Sequence, residues 1–115
     1  MIGGGQLARM TAQAAIALGQ TLRVLAVRSA ESAAQVLPDV VLGSHTDLDA
    51  LRRVASGATA FTFDHEHVPP ALLEQLVADG VNVLPPPSAL VHAQDKLLMR
   101  QRLSALGLSS LGRSE

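Results

Sequence analysis

Apolar positions along the chain alternate between two spacings. Leu7, Met10, Ala14, Ala15 and Leu18 recur at the three- and four-residue spacing of one helix face, and Gly19 stands where such a helix stops. "LRVLAV" (22–27) then reads as a short buried strand. "SAESAAQVL" is a second helical stretch, opened by Ser29 and closed by Pro38. "VVLG" (40–43) is a brief strand, and "TDLDALRRVAS" a helix capped by Thr46 or Asp47. "AFTFD" (60–64), β-branched and aromatic, is the clearest strand of all. After Pro69 and Pro70, "ALLEQLVADG" keeps helical periodicity to Gly80, "VNVL" follows as a strand, and the run Pro85 to Pro87 breaks the pattern. One last helix is predicted from Ser88 to about Leu106.

This strand–helix alternation predicts an α/β fold, with a parallel sheet covered by helices on both faces. The proline run is the internal boundary, giving one unit over 1–87 and a second stretch over 88–115. Only Met1 and Ile2 precede the glycine turn "GGGQLA", so the first strand of the alternation is cut short. Ligands of open parallel sheets sit beyond the carboxyl ends of the strands. Gly3 to Gln6, the residues after Val27, and Asp64 to Val68 are therefore expected to converge on one crevice.

Composition narrows the chemistry. Nine Lys and Arg against ten Asp and Glu leave no electrostatic footprint for nucleic acid or an anionic membrane, and two Phe are the only aromatic residues. No apolar run reaches the roughly 18 residues of a membrane span, and there is no signal-peptide plan. With no cysteine in the chain, a cytoplasmic protein is the expectation. No nucleophile elbow or P-loop is present, so no catalytic residue is assigned.

Three motifs remain. "GGGQLA" fits the G-x-G-x-x-[G/A] turn with Gly3, Gly5 and Ala8. It suits a dinucleotide, another small ligand, or packing of a helix on a sheet. The ribose-binding acid a dinucleotide wants is replaced by Arg28 and Ser29, with Glu31 displaced. An NAD(P)-binding domain of an oxidoreductase and a non-catalytic interaction module both stay open. "FDHEHVPP" brings Asp64, His65, Glu66 and His67 to the end of a strand, where Glu66 can accept hydrogen bonds from a ligand. Neighbouring residues of an extended segment point to opposite sides, so His65 and His67 supply at most two metal ligands, and no metal site is assigned. "HAQDKLLMRQRL" places Asp95 and Lys96 inside the last helix, as a solvated face or as a lysine held for phosphate.

Taken in order, "GGGQLARM", "FTFDHEHVP" and "PPPSALVHAQDKLLMRQRLSALG" resemble the amino-terminal part of the 5-(carboxyamino)imidazole ribonucleotide synthases, and are similar to the actinobacterial form. These are ATP-grasp ligases of bacterial and fungal purine biosynthesis. The resemblance implies a Rossmann-like pre-ATP-grasp domain over 1–87, and over 88–115 a linking helix and the start of an ATP-grasp domain. It also implies the reaction of aminoimidazole ribonucleotide with bicarbonate and ATP through carboxyphosphate, with Mg2+ held by residues outside this chain. By position, Gly5, Gln6 and Glu66 would line the aminoimidazole ribonucleotide pocket, and Lys96 would meet ATP. A homodimer is a further implication. The family's first strand is longer than Met1 and Ile2, and "LSSLGRSE" replaces its usual onward segment. The chain alone is expected to lack synthase activity.

Overall fold

A computed structural model describes residues 1–109 of the chain. Its elements are helix α1 (Gln6–Ala17), strands β1 (Val24–Ala26) and β2 (Val40–Leu42), and helices α2 (Leu48–Ala55), α3 (Pro70–Ala78), α4 (Pro87–Gln94) and α5 (Lys96–Ala105). β1 and β2 pair in parallel, with Val24 opposite Val40 and Ala26 opposite Leu42. Parallel bridges carry the sheet further: Ile2 pairs with both Leu25 and Phe63, and Phe61 pairs with Val83. The lateral order is thus β2, β1, Ile2, Phe61 with Phe63, and Val83. This short ladder places Ile2 at the centre of the sheet.

Alternation along the strands sorts side chains to two faces. Ile2, Leu25 and Val41 join Phe61, Leu51, Leu73 and Leu76 in the larger core, which α2, α3 and α4 cover. Met1, Val24 and Val40 point the other way, against Ala8 of α1, Ala33 and Leu22. Both faces are therefore covered, as the sequence pattern predicts. "AFTFD" and "VNVL" are strands only in part, since each takes up the ladder at single residues. Phe61 N–H still donates to Asn82 O at 2.8 Å and Leu84 N–H to Phe61 O at 2.8 Å.

Three expectations are corrected. α1 does not present Leu7, Met10 and Leu18 to the core: Leu7 is 58% and Leu18 76% exposed, while Ala8 and Ala12 are buried. Small side chains let the helix lie close to the sheet, and Ala33 N–H reaches Gly4 O at 2.8 Å beside it. Second, 29–37 forms successive turns rather than a helix. The Ala33 N–H is claimed by the glycine turn, and Glu31 folds back so that its carboxylate accepts from Val27 N–H at 3.0 Å. These bonds to the turn and to β1's end compete with helical ones.

Third, the helix predicted over 88–106 is two helices. Asp95 has φ −123° and ψ 104°, lies between α4 and α5, and accepts from Leu98 N–H at 3.1 Å as the cap of α5. Asp95 is thus not inside a helix, and Lys96 opens α5. Because α5 has no buried residue, this cap is a large share of what orders it. Asp95→Ala should cost about 1 kcal/mol, read as faster amide exchange at Leu98 with the core unchanged. The tail "LSSLGRSE" lies, from residue 110 onward, outside the described residues.

The chain's amino group is built into the sheet. Met1 N donates to Arg23 O at 2.6 Å. Burial, then the charge of Arg23, lower its pKa from 8.0 to about 6, with Asp64 and Asp39 acting the opposite way. Between these values the unfolded chain binds more protons than the folded one, so stability rises with pH from about 6 to 8 and is level above that. The gain is at most about 3 kcal/mol. Urea midpoints at pH 5.5, 7 and 8.5 measure it, and an N-terminally acetylated chain should lose most of the slope.

Candidate functional site at the carboxyl edge of the sheet

The glycine turn leaves the sheet at its centre. Gly3 N–H donates to Leu25 O at 3.1 Å and Asp64 N–H to Ile2 O at 3.1 Å, so the turn is fastened between β1 and the Phe61–Phe63 segment. Gly3 has φ +115°, a conformation L side chains rarely adopt, and a Cβ there would overlap the Asp64 carboxylate. Gly4 is closed in by Ala26 and the Glu31 carboxylate, each 2.6 Å from where its Cβ would stand. Gly5 is different: its φ is −87°, and nothing lies within 4 Å of a Cβ. It is the N-cap of α1 and offers no side chain to the helix's first N–H groups.

The three expected segments do converge. Gly3 to Gly5, Val27, Glu31, His45, Asp64 and His65 line one cavity of about 260 Å³. His45 meets His65 edge-on with ring centroids 5.0 Å apart, and His65 stacks on His67 at 5.2 Å. The His67 N–H donates to His65 Nδ1 at 3.1 Å, which fixes that nitrogen as an acceptor and the neutral ring as the Nε2–H tautomer. Burial in the first place, and the neighbouring His45 and His67, lower the His65 pKa, against the pull of Asp64 and Glu66. Among the described residues no group of three His, Cys, Asp or Glu is arranged to hold a metal ion.

The proposed ligand residues divide between two places. Gly5 lines the cavity above the sheet. Glu66 and Lys96 line a second cleft of about 380 Å³ with His67, Val68 and Gln94. Gln94 Nε2 donates to Glu66 O and to Val68 O, both at 3.0 Å, and so ties the end of α4 to the "HEHV" segment. Gln6 lines neither cavity; its Oε1 accepts from Ser32 Oγ at 2.9 Å. Sequence reasoning passed over Gln94 and Ser32, and reads His45 as a surface or structural residue rather than a catalytic one. Only the position of Gln94 beside Asp95 and Lys96 in "HAQDK" hinted at its place.

The Glu31 carboxylate, the acid that follows β1 in the sequence, accepts from Val27 N–H and packs over Gly4. No helix among the described residues is long and apolar enough to cross a membrane.

Known proteins share this arrangement. The family model described as the ribonucleotide synthetase preATP-grasp domain matches residues 1–94. The N5-carboxyaminoimidazole ribonucleotide synthase of Mycobacterium leprae is 76% identical over 107 residues, covering 93% of this chain and 24% of that protein. The crystal structure of the N5-carboxyaminoimidazole ribonucleotide synthetase of Thermus thermophilus superposes with a TM-score of 0.82 at 37% identity, over 92% of this chain and 29% of that one. The Aspergillus clavatus synthase, solved with ADP and 5-aminoimidazole ribonucleotide, gives 0.78 at 31% identity over 92% and 28%. The chain thus spans about a quarter of the length of the curated relatives it matches. With the central glycine turn, the parallel sheet covered on both faces and a family match over most of its length, this chain belongs to the ribonucleotide synthetase preATP-grasp domain family.

Proposed function

We propose that the chain is the substrate-facing amino-terminal part of an ATP-dependent ligase that carboxylates 5-aminoimidazole ribonucleotide with bicarbonate, in purine biosynthesis in the cytoplasm. The observation that carries the reading is the cleft shared by Glu66 and Lys96, one segment away from the glycine turn. A carboxylate and a cation lining one cleft suit two neighbouring ligands, one that offers hydrogen-bond donors and one that offers a phosphate. Glu66 accepts from the amino group of the aminoimidazole and orients it. Gly5 and Gln6, at the start of α1, offer main-chain N–H groups and an amide to the same nucleotide. Lys96 meets a phosphate of ATP as a point charge, which needs no bidentate geometry. ATP with Mg2+ supplies the activation of bicarbonate, and its metal ligands belong to the part of the relatives' chain beyond this match. The homodimer is part of the same reading.

A chimera tests it: residues 1–107 of this chain replace the matching segment of the Mycobacterium leprae enzyme. Glu66→Gln should lower kcat/KM for aminoimidazole ribonucleotide at least about tenfold, the worth of one charged hydrogen bond. Lys96→Ala should raise the KM for ATP and leave that for the ribonucleotide unchanged. Unaltered kinetics in both variants would overturn the assignment. The isolated chain should release no ADP in response to aminoimidazole ribonucleotide. It should also show no saturable binding of NADPH, because the Glu31 carboxylate stands over Gly4 in the glycine-turn cavity and would repel the dinucleotide's phosphates there.

A further inference from the structure

Between the sheet and α3, residues 65–68 make no main-chain to main-chain hydrogen bond among the described residues. Asp64 N–H, on Ile2 O, is the last such bond to the sheet, and Pro69 and Pro70 have no N–H to offer. Two side chains hold the segment instead. His65 Nδ1 accepts from His67 N–H at 3.1 Å and closes a small turn with Glu66 at its apex. Gln94 Nε2 donates to Glu66 O and to Val68 O, both at 3.0 Å, so the amide nitrogen gives one hydrogen to each carbonyl. Gln94 is itself firmly placed. It stands one turn beyond Leu90, which is buried in the larger core together with Val68. Toward Lys96 the path is equally tight. Asp95 N–H donates to Val91 O at 2.9 Å, its carbonyl accepts from Met99 N–H at 3.0 Å and its carboxylate from Leu98 N–H at 3.1 Å. These three bonds fix the one residue that separates Gln94 from Lys96.

We propose that Gln94 is a positioning residue, holding Glu66 and Lys96 in register across their shared cleft, a role that rests on the ligase function proposed for this chain. Its amide grips the main chain of Glu66, and its own main chain leads into Lys96 with little play. In that function Glu66 orients the amino group of the ribonucleotide and Lys96 a phosphate of ATP. The amide therefore sets the place of one ligand against the other. Both of its hydrogens are engaged by carbonyls, so it acts through Glu66 and Lys96 and not on a reacting atom. A misplacement of about 1 Å between groups that must meet costs roughly a hundredfold in rate. Alignment of this kind is felt in kcat, because each ligand still finds its own residue.

Gln94→Met tests it, since it keeps the length and helix propensity of the side chain and removes both donors. In the whole 115-residue chain, amide NMR should show exchange at His67 at least about fivefold faster, with the core shifts of Phe61 and Leu73 unchanged. In the chimera with the Mycobacterium leprae enzyme, Gln94→Met should lower kcat roughly ten- to a hundredfold. Added to Glu66→Ala or to Lys96→Ala, it should lower kcat by less than about threefold, because one of the two groups it aligns is already gone. Gln94→Glu, which keeps the shape but turns a carboxylate toward the two carbonyls, should repeat the loss. A role in folding alone would give the same fall in all three backgrounds and would overturn the proposal, as would unchanged exchange at His67 or a Gln94→Glu enzyme with full kcat. Unaltered kinetics in Glu66→Ala and Lys96→Ala would overturn the ligase function and this role with it, whereas equal falls in every background overturn this role only.

Discussion

Gly3→Ala is expected to destabilise the chain by about 3–5 kcal/mol, enough to unfold much of it at room temperature. Two costs combine. An alanine held at φ +115° is strained, and its Cβ would overlap the Asp64 carboxylate. The backbone cannot give way, because the bonds from Gly3 N–H to Leu25 O and from Asp64 N–H to Ile2 O hold the turn from both sides. Gly5→Ala is the matched control. With φ −87° and no atom within 4 Å of a Cβ, it should change stability by less than about 0.5 kcal/mol. Adding Asp64→Gly to Gly3→Ala should recover the steric part of the loss and leave the backbone part. Urea midpoints of the four chains measure each step, and a Gly3→Ala chain as stable as Gly5→Ala would contradict this account. The triple glycine therefore divides: Gly3 and Gly4 are demanded by packing, and Gly5 is free to serve a ligand.

Phe61→Ala should cost about 3–5 kcal/mol, the usual penalty for emptying a buried aromatic site. Phe61 is 1% exposed and sits in the larger core with Leu51, Leu73 and Leu76. Its ring meets Phe63 edge-on at 6.5 Å, and these are the chain's two aromatic residues, so no other ring can refill the space. The effect should exceed that of a typical core truncation for a second reason. The segment around Phe61 joins the sheet by single bridges, so side-chain burial does much of the anchoring that a longer ladder would share. Phe61→Leu, which keeps most of the volume, should cost about 1–2 kcal/mol. A lowered urea midpoint with unchanged slope is the expected result for both, and a near-neutral Phe61→Ala would mean that the segment is held by its backbone alone.

The glycine-turn crevice was legible in the sequence because it follows from topology: strand ends of a parallel sheet share one edge, so the residues after Ile2, Val27 and Phe63 meet there. The pairing of Glu66 with Lys96 in a second cleft was not. It depends on Gln94, whose amide spans from the end of α4 to the carbonyls of Glu66 and Val68, a contact between residues 26 and 28 positions apart. Asp95 and Lys96 read as interior positions of one long helix until that tie fixes α4's end and Asp95 caps a new helix.

What the sequence determined by itself is what neighbours in the chain decide. β1 and β2 follow from short apolar β-branched runs, the cap of α2 from Asp47 accepting Asp49 N–H, and the stop of α1 from Gly19 at φ +70°. The tertiary structure alone decided which of two apolar stripes α1 turns inward. Periodicity marks Leu7, Met10 and Leu18 as plainly as Ala8 and Ala12, but only the alanines permit the close approach that Gly4 and Ala33 impose. It decided likewise that 29–37 turns instead of coiling, since the partners of Ala33 N–H and Val27 N–H are chosen by what stands beside them in space. Local hydrogen bonds are set by residues a few positions apart and can be read in order. Close packing and lateral hydrogen bonds are set by distant residues, and they prevail wherever a local preference leaves two answers open.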